Sequence, residues 1–263
     1  MTSSADEPVL VEHDDAIAVV TLNAPPHNPI GLATVDRLET LIPELEANRA
    51  VRSLVITGAG ERTFSVGANI KEFGTGVARL TLQGFIGQRL RVLALIENLR
   101  MPVVCAIRGA CVGGGLELAL ACHFRLAAVG ARIGLPEIEL GIVPAWGGTQ
   151  RLTHTVGRAR ALDLMLRAKL IGAEEAERIG LVHEVCEPDE LLPRARALAR
   201  ELAEKAPIAV AGILNAVVEG GRLPLEEGLN LEYEALARTS GSKDAGEGIR
   251  AFLEKRTPVF KGE

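Results

Sequence analysis

Between Val9 and Leu22 two short apolar runs are separated by His13, Asp14 and Asp15, a pattern that predicts a β-hairpin. The proline-rich stretch Ala24-Pro25-Pro26-His27-Asn28-Pro29 reads as a loop. From about Leu32 to Asn48, apolar residues at Leu38, Leu41, Ile42 and Leu45 recur at helical spacing. Val51 to Thr57 is a short β-branched run that Gly58-Ala59-Gly60 ends, so a buried strand is expected there. The same reasoning predicts a helix over about Leu80 to Leu99 and a strand over Pro102 to Ile107, closed by Arg108-Gly109. Gly113-Gly114-Gly115 then leads into an apolar helix, LELALAC. A strand over Phe124 to Ala128, a short strand and turn over Ile133 to Leu140, a loop to Gly148 and a helix opening at Thr149 complete this part. From Glu174 onward the periodicity is helical, punctuated by Pro188, Pro193, Pro207 and Pro224. Strands alternating with helices indicate an α/β fold. The expected organisation is a core over residues 1–190 and a helical C-terminal region over 191–263.

Composition narrows the picture. At 263 residues the chain is one large domain or a domain with an appendage, long enough to bury a full core. Aromatics make up 3%, so that core must be built from Ala, Leu, Val and Ile. A net charge of −5 offers no electrostatic reason for a nucleic-acid or membrane partner. The acidic, polar N-terminus has neither the basic start and apolar run of a signal peptide nor the Arg-rich character of a transit peptide, and the expectation is cytoplasmic. No apolar run approaches the roughly 18 residues a membrane helix needs. Cys105, Cys111, Cys122 and Cys186 lack CxxC spacing and mostly sit in apolar segments, which predicts buried thiols. The histidines show no ligand spacing, so no metal site is expected.

Two familiar motifs fail on inspection. Thr57-Gly58-Ala59-Gly60 follows a strand, but Thr63 stands where a dinucleotide-binding loop needs its third glycine. Thr63 also replaces the first glycine of a nucleophile elbow around Ser65.

Three features carry chemistry. Gly113-Gly114-Gly115-Leu116-Glu117 places glycines at a strand-to-helix turn, where a bare amide can approach a ligand and donate to an oxyanion. Glu117 falls in the first helical turn; alone, it fits a simple complement to the helix dipole equally well. Glu137 follows Pro136 among Ile133, Leu135, Ile138 and Leu140, and apolar company raises a carboxyl pKa, which suits a proton donor. In Thr63 to Phe73 a glycine and a small residue, Gly67-Ala68, precede a helix-like segment, a second place for a bare amide.

Together these runs resemble the enoyl-CoA hydratase/isomerase (crotonase) superfamily over nearly the whole chain. GANIKEF, GGGLELA, LPEIELGIVPAWGGTQRL and the tail FLEKR stand in the family's order and spacing. The resemblance implies a ββα spiral core with a C-terminal helical region. It also implies an oxyanion hole formed by the amides of Ala68 and Gly114, and two catalytic carboxylates. Glu117 would activate water for attack on the β carbon, and Glu137 would deliver a proton to the α carbon. Lys71 and Lys255, with Arg62 as the weaker candidate, would meet the phosphates of coenzyme A, which is part of the substrate, so that no separate cofactor is implied. Assembly as a trimer or a pair of trimers through the C-terminal helices is implied as well. Both acids are kept, which favours hydration over isomerisation or another acyl-CoA reaction on the same scaffold, such as hydrolysis. They also argue against a binding protein that has lost catalysis.

The chain departs from the family pattern at Asn69, where many hydratases carry aspartate, and at Asn28-Pro29-Ile30. Ala145 and Trp146 stand where a glycine and a small residue are common. Trp146 is either ordinary core or a wall of the acyl pocket.

Overall fold

The computed structural model describes residues 7–263. β1 (Val9–Asp14) and β2 (Ile17–Leu22) form the expected antiparallel hairpin, turning on Asp15 at φ 51°. α1 (Leu32–Ala47) follows. The chain then repeats one unit, a strand for each of two sheets and a helix. β3 (Ser53–Gly58), β4 (Thr63–Ser65) and α2 (Phe73–Glu97) form the first turn of this spiral. β5 (Val103–Ile107), β6 (Ala110–Val112) and α3 (Gly114–Ala121) form the second. β7 (Phe124–Ala128), β8 (Arg132–Gly134), a 3-10 turn over Glu137–Leu140 and α4 (Gly148–Val156) form the third. α5 (Arg158–Leu166), β9 (Ile171–Gly172), α6 (Ala173–Arg178) and β10 (Glu184–Cys186) close the two sheets. The larger has the order β1-β2-β3-β5-β7-β10 and the smaller β4-β6-β8-β9. All pairings are parallel except β1 with β2 and β8 with β9. This is the ββα spiral that the resemblance implied.

Parallel strands covered on both faces are apolar throughout, and every residue of β5 is buried. Alternation of side chains along each strand divides the core in two. Leu54, Ile56, Val103, Cys105 and Ile107 face α1, α2 and α3. Ile17, Val19, Val55, Val104, Ala106 and Leu126 face α7 (Leu191–Ala203), which lays Ala195, Ala199 and Ala203 against them. Outside this layer α8 (Pro207–Val218), α9 (Leu225–Ser240) and α10 (Lys243–Glu254) complete the chain. The four cysteines are buried free thiols, as their apolar settings suggested. Among the described residues no helix is long and apolar enough to cross a membrane.

Several elements differ from the sequence expectation. Helical structure begins at Phe73, and Thr81 (φ 63°, ψ 163°) interrupts it. The hydroxyl of Thr81 accepts from the Gly84 amide at 3.3 Å, which caps the second half. The helix expected from about Leu80 is therefore the part beyond this break. β4 and β6 were not anticipated because each has three residues, too few to show a period of two. β10 lies inside the stretch read as helical, and its pairing with β7 overrides the local pattern.

Candidate functional site

The site grows from two glycine-bearing turns that the smaller sheet brings together. β4 leads into Val66-Gly67-Ala68, and β6 leads into Gly113-Gly114 at the start of α3. Gly67 has φ +86°, and a Cβ there would fall 2.7 Å from the Gly114 nitrogen and 2.9 Å from the Val112 carbonyl. Only glycine permits this approach. Ile30 bridges the Ala68 segment: its amide donates to Gly67 at 2.7 Å, and its carbonyl accepts from Asn69 at 3.2 Å. Alternate amides of an extended segment point to opposite sides, so the Ala68 N–H faces away from Ile30. Gly114 is the first residue of α3, where an N–H has no intrahelical acceptor. Two backbone donors thus stand on either side of the Gly67–Gly114 contact.

The Ala68 turn is held from behind. Asn28, buried, donates through Nδ2 to the carbonyls of Ala59 (2.9 Å) and Thr63 (2.8 Å). The Ser65 hydroxyl donates to Asn28 O at 2.7 Å and accepts from the Gly67 amide at 3.0 Å, so it is a structural hydroxyl. Glu72 accepts from Asn69 Nδ2 (2.7 Å) with one oxygen and from the Leu32 amide (2.7 Å) with the other. It therefore joins the Ala68 turn to the start of α1.

The two carboxylates flank the other turn. The Glu117 amide bonds to Gly113 O at 3.0 Å, placing the side chain in the first turn of α3 with 2% exposure. Its Oε1 accepts from the amides of Trp146 (2.7 Å) and Gly148 (2.8 Å). Burial pushes the Glu117 carboxyl up to about 7 against the pull of these amides, and the charge of Glu137 pushes in the same direction. Glu137 comes alongside through register. Val112 pairs with Gly134, whose carbonyl accepts from the Gly113 amide at 3.0 Å, and three residues later Glu137 starts the 3-10 turn. A Cβ on Gly113 would lie 3.1 Å from Glu137 Oε1. Burial raises the pKa of Glu137 as well, and its Oε2 is buried with no hydrogen-bond partner among the described residues. One carboxylate is tied by an oxygen and the other holds an oxygen open, an arrangement that can relay a proton.

Trp146 is buried, and its ring lies on Gly114: a Cβ there would meet Cζ3 at 2.3 Å. Beyond it the guanidinium of Arg89 sits 5.4 Å from the Trp146 ring centroid and 3.4 Å from that of Phe85. Arg89 donates to Phe85 O at 2.9 Å, and together with Trp146, Leu118 and Ile30 it lines a small cavity.

The sequence-derived residues thus divide. Ala68, Gly114, Glu117, Glu137 and Trp146 converge. Lys71 follows on the exposed 3-10 turn Ile70–Glu72, near Ala68 in the chain. Arg62 is exposed at the opposite end of β4 from Ala68, and its carbonyl packs on Gly109. Lys255 is exposed at the end of α10, with φ 54°. Asn28 and Glu72 had no assigned part in the sequence reading, nor did Arg89 and Arg151. The residue types gave no signal for them, because each acts through a partner 30 or more positions away.

A crotonase-type spiral with a buried and a half-buried glutamate at a glycine turn defines a class. The comparisons agree: the chain matches the family model for enoyl-CoA hydratase/isomerase over residues 12–263 and belongs to that family of enzymes. It is 42% identical over 253 residues to a probable enoyl-CoA hydratase of Bacillus subtilis, covering 95% of this chain and 97% of the relative. It is 37% identical to the crotonyl-CoA hydratase of Syntrophomonas wolfei, covering 97% and 98%. The crystal structure of an enoyl-CoA hydratase from Bacillus anthracis superposes with a TM-score of 0.92 at 36% identity, over 97% of this chain and all of that one.

Proposed function

We propose that this enzyme adds water across the double bond of 2-enoyl-CoA thioesters to give 3-hydroxyacyl-CoA, and catalyses the reverse dehydration. The observation that carries the reading is the pair of glutamates beside Gly113-Gly114, Glu117 buried and Glu137 half-buried. The thioester oxygen accepts from the amides of Ala68 and Gly114, and such donors each contribute roughly 10²–10³ in rate as charge develops. Glu117, held through Oε1, uses Oε2 to orient water and take its proton during attack on the β carbon. Glu137 places its proton on the α carbon. Repulsion between two nearby carboxylates keeps one protonated when the other is ionised, so a base and an acid coexist in the site. Lys71 and Lys255, and more weakly Arg62, meet the coenzyme A phosphates. Trp146 bounds the acyl group. Names of relatives such as the crotonyl-CoA hydratase support a short acyl chain.

Self-assembly as a trimer or a pair of trimers belongs to the same reading. Ile213, Val217, Leu225, Tyr233, Leu236 and Phe252 on α8, α9 and α10 are each more than 60% exposed, a larger apolar surface than a monomer usually leaves in water.

The test follows loss of the conjugated-thioester absorbance with crotonyl-CoA. Glu117→Gln and Glu137→Gln are each expected to lower kcat by about 10²–10⁴ while folding normally. Full activity in either variant rejects its assigned role.

A further inference from the structure

The oxygen of Glu117 that the two amides hold is only as well placed as the loop carrying them, and that loop is clamped. Arg151, on α4, donates through Nη1 to the Trp146 carbonyl at 2.9 Å. The same guanidinium packs on Gly147, where φ is +96° and a Cβ would fall 2.2 Å from Nη1. Its other face, Nε and Nη2, bonds to Glu97 Oε2 at 3.1 and 2.8 Å. Both partners are largely buried, at 15% and 14% side-chain exposure, where an ion pair is less screened than on the surface. Glu97 Oε2 also takes Arg222 at 2.6 Å, from the 3-10 turn Gly220–Arg222 between α8 and α9. A chain of contacts therefore runs from the C-terminal helical region through Glu97 and Arg151 to the Trp146–Gly148 loop and Glu117.

We propose that Arg151 and Glu97 are positioning residues for Glu117, and that Arg222 makes their clamp depend on the docking of the C-terminal helices. The clamp holds the loop so that its two amides fix Oε1 and leave Oε2 toward the reacting atoms. Arg151 does not touch substrate; it acts through the loop and through its charge. The charged groups acting on Glu117 are Glu137, which disfavours its ionisation, and Arg151, which favours it. Around Glu97 the groups are Arg151, Arg222 and His123, and the His123 ring meets the Glu97 carbonyl at 3.1 Å rather than its carboxylate. The inference rests on the hydratase reading for its kinetic consequence, though not for its electrostatic one.

The experiment compares Arg151→Met, Arg151→Lys, Glu97→Gln and Arg222→Met in the full-length protein. Two measurements are made across pH: kcat and KM with crotonyl-CoA, and infrared titration of the Glu117 carboxyl, with Glu117→Gln as the subtraction reference. Arg151→Met is expected to lower kcat by about 10², as an ångström-scale misplacement does, with KM little changed. Its Glu117 titration moves to higher pH, because a favourable cation is gone. Arg151→Lys recovers part of both, since one ammonium cannot serve the Trp146 carbonyl and Glu97 together with the fork of a guanidinium. Glu97→Gln lowers kcat by less and moves the Glu117 titration slightly to lower pH, because an anion is gone while the Arg151 cation stays, and it carries the test if Arg151→Met fails to fold. Arg222→Met, at a half-exposed pair, lowers kcat by less than about fivefold. A merely structural role predicts a lower melting temperature with kcat and the Glu117 titration unmoved in the folded fraction, and that result overturns the proposal. If no form hydrates any enoyl-CoA, the hydratase reading falls, and the infrared arm alone decides the clamp.

Discussion

Glu117 keeps two amide donors on one oxygen and still titrates near 7, because burial outweighs both hydrogen bonds. The sign of its effect on stability follows. Its pKa is raised in the folded state above an ordinary 4.5, so the native protein holds more protons than the unfolded chain between those values. Stability is therefore lost as pH rises from about 4.5 through 7. At ~1.4 kcal/mol per pH unit the full loss is ~3 kcal/mol, an upper figure for one site. Glu117→Gln, which keeps an oxygen for the two amides, is expected to be the more stable protein at pH 8. Its advantage should shrink toward pH 5, and urea unfolding at several pH values measures this directly. An equal gap at both ends would mean that the carboxyl is not the strained group. At Gly114 the constraint is steric: a methyl group meets the Trp146 ring at 2.3 Å. Gly114→Ala is expected to cost roughly 1–3 kcal/mol of stability and displace Trp146, and near-ultraviolet circular dichroism of the lone tryptophan reports that movement.

At the scale of the element, α7 shows how a small-residue stripe sets distance. Ala195, Ala199 and Ala203 are buried on the larger sheet, opposite Val55, Val104 and Leu126. Ala199→Leu forces extra volume into that layer and is expected to destabilise the protein by roughly 1–3 kcal/mol in urea unfolding. Turnover per folded molecule should stay near normal, because α7 lies on the face of the sheet away from Glu117. The hairpin, α1, β3 and the apolar helix at LELALAC were legible because each shows a full period of alternation or of helical spacing. β4 and β6, the strands that lead into the two glycine turns, have three residues each and show neither. Their existence depends on pairing across the smaller sheet, a non-local decision.

Over the whole molecule the unsatisfied quantity is apolar surface. The core is fully buried, yet Leu225, Tyr233, Phe252 and Leu253 are 72–83% exposed on the outer helices. We expect light scattering to report an oligomer, and Tyr233→Asp with Phe252→Asp to lower its mass by placing charge in the interface. A wild-type monomer at micromolar concentration would remove this expectation.

The chain's own order of residues determined the α/β class, the buried thiols, the long elements and the chemical candidates, because local periodicity and glycine-carboxylate runs are properties of contiguous residues. It marked Glu117 and Glu137 as worth attention. Only the tertiary structure decided what surrounds them: Trp146 on Gly114, Gly148 and Trp146 amides on Glu117, and an open oxygen on Glu137. It also separated Arg62 from the rest and joined Glu97 to Arg151, 54 positions away. Such contacts arise from sheet register and spiral closure, and no local pattern records which distant residue the fold will set beside another.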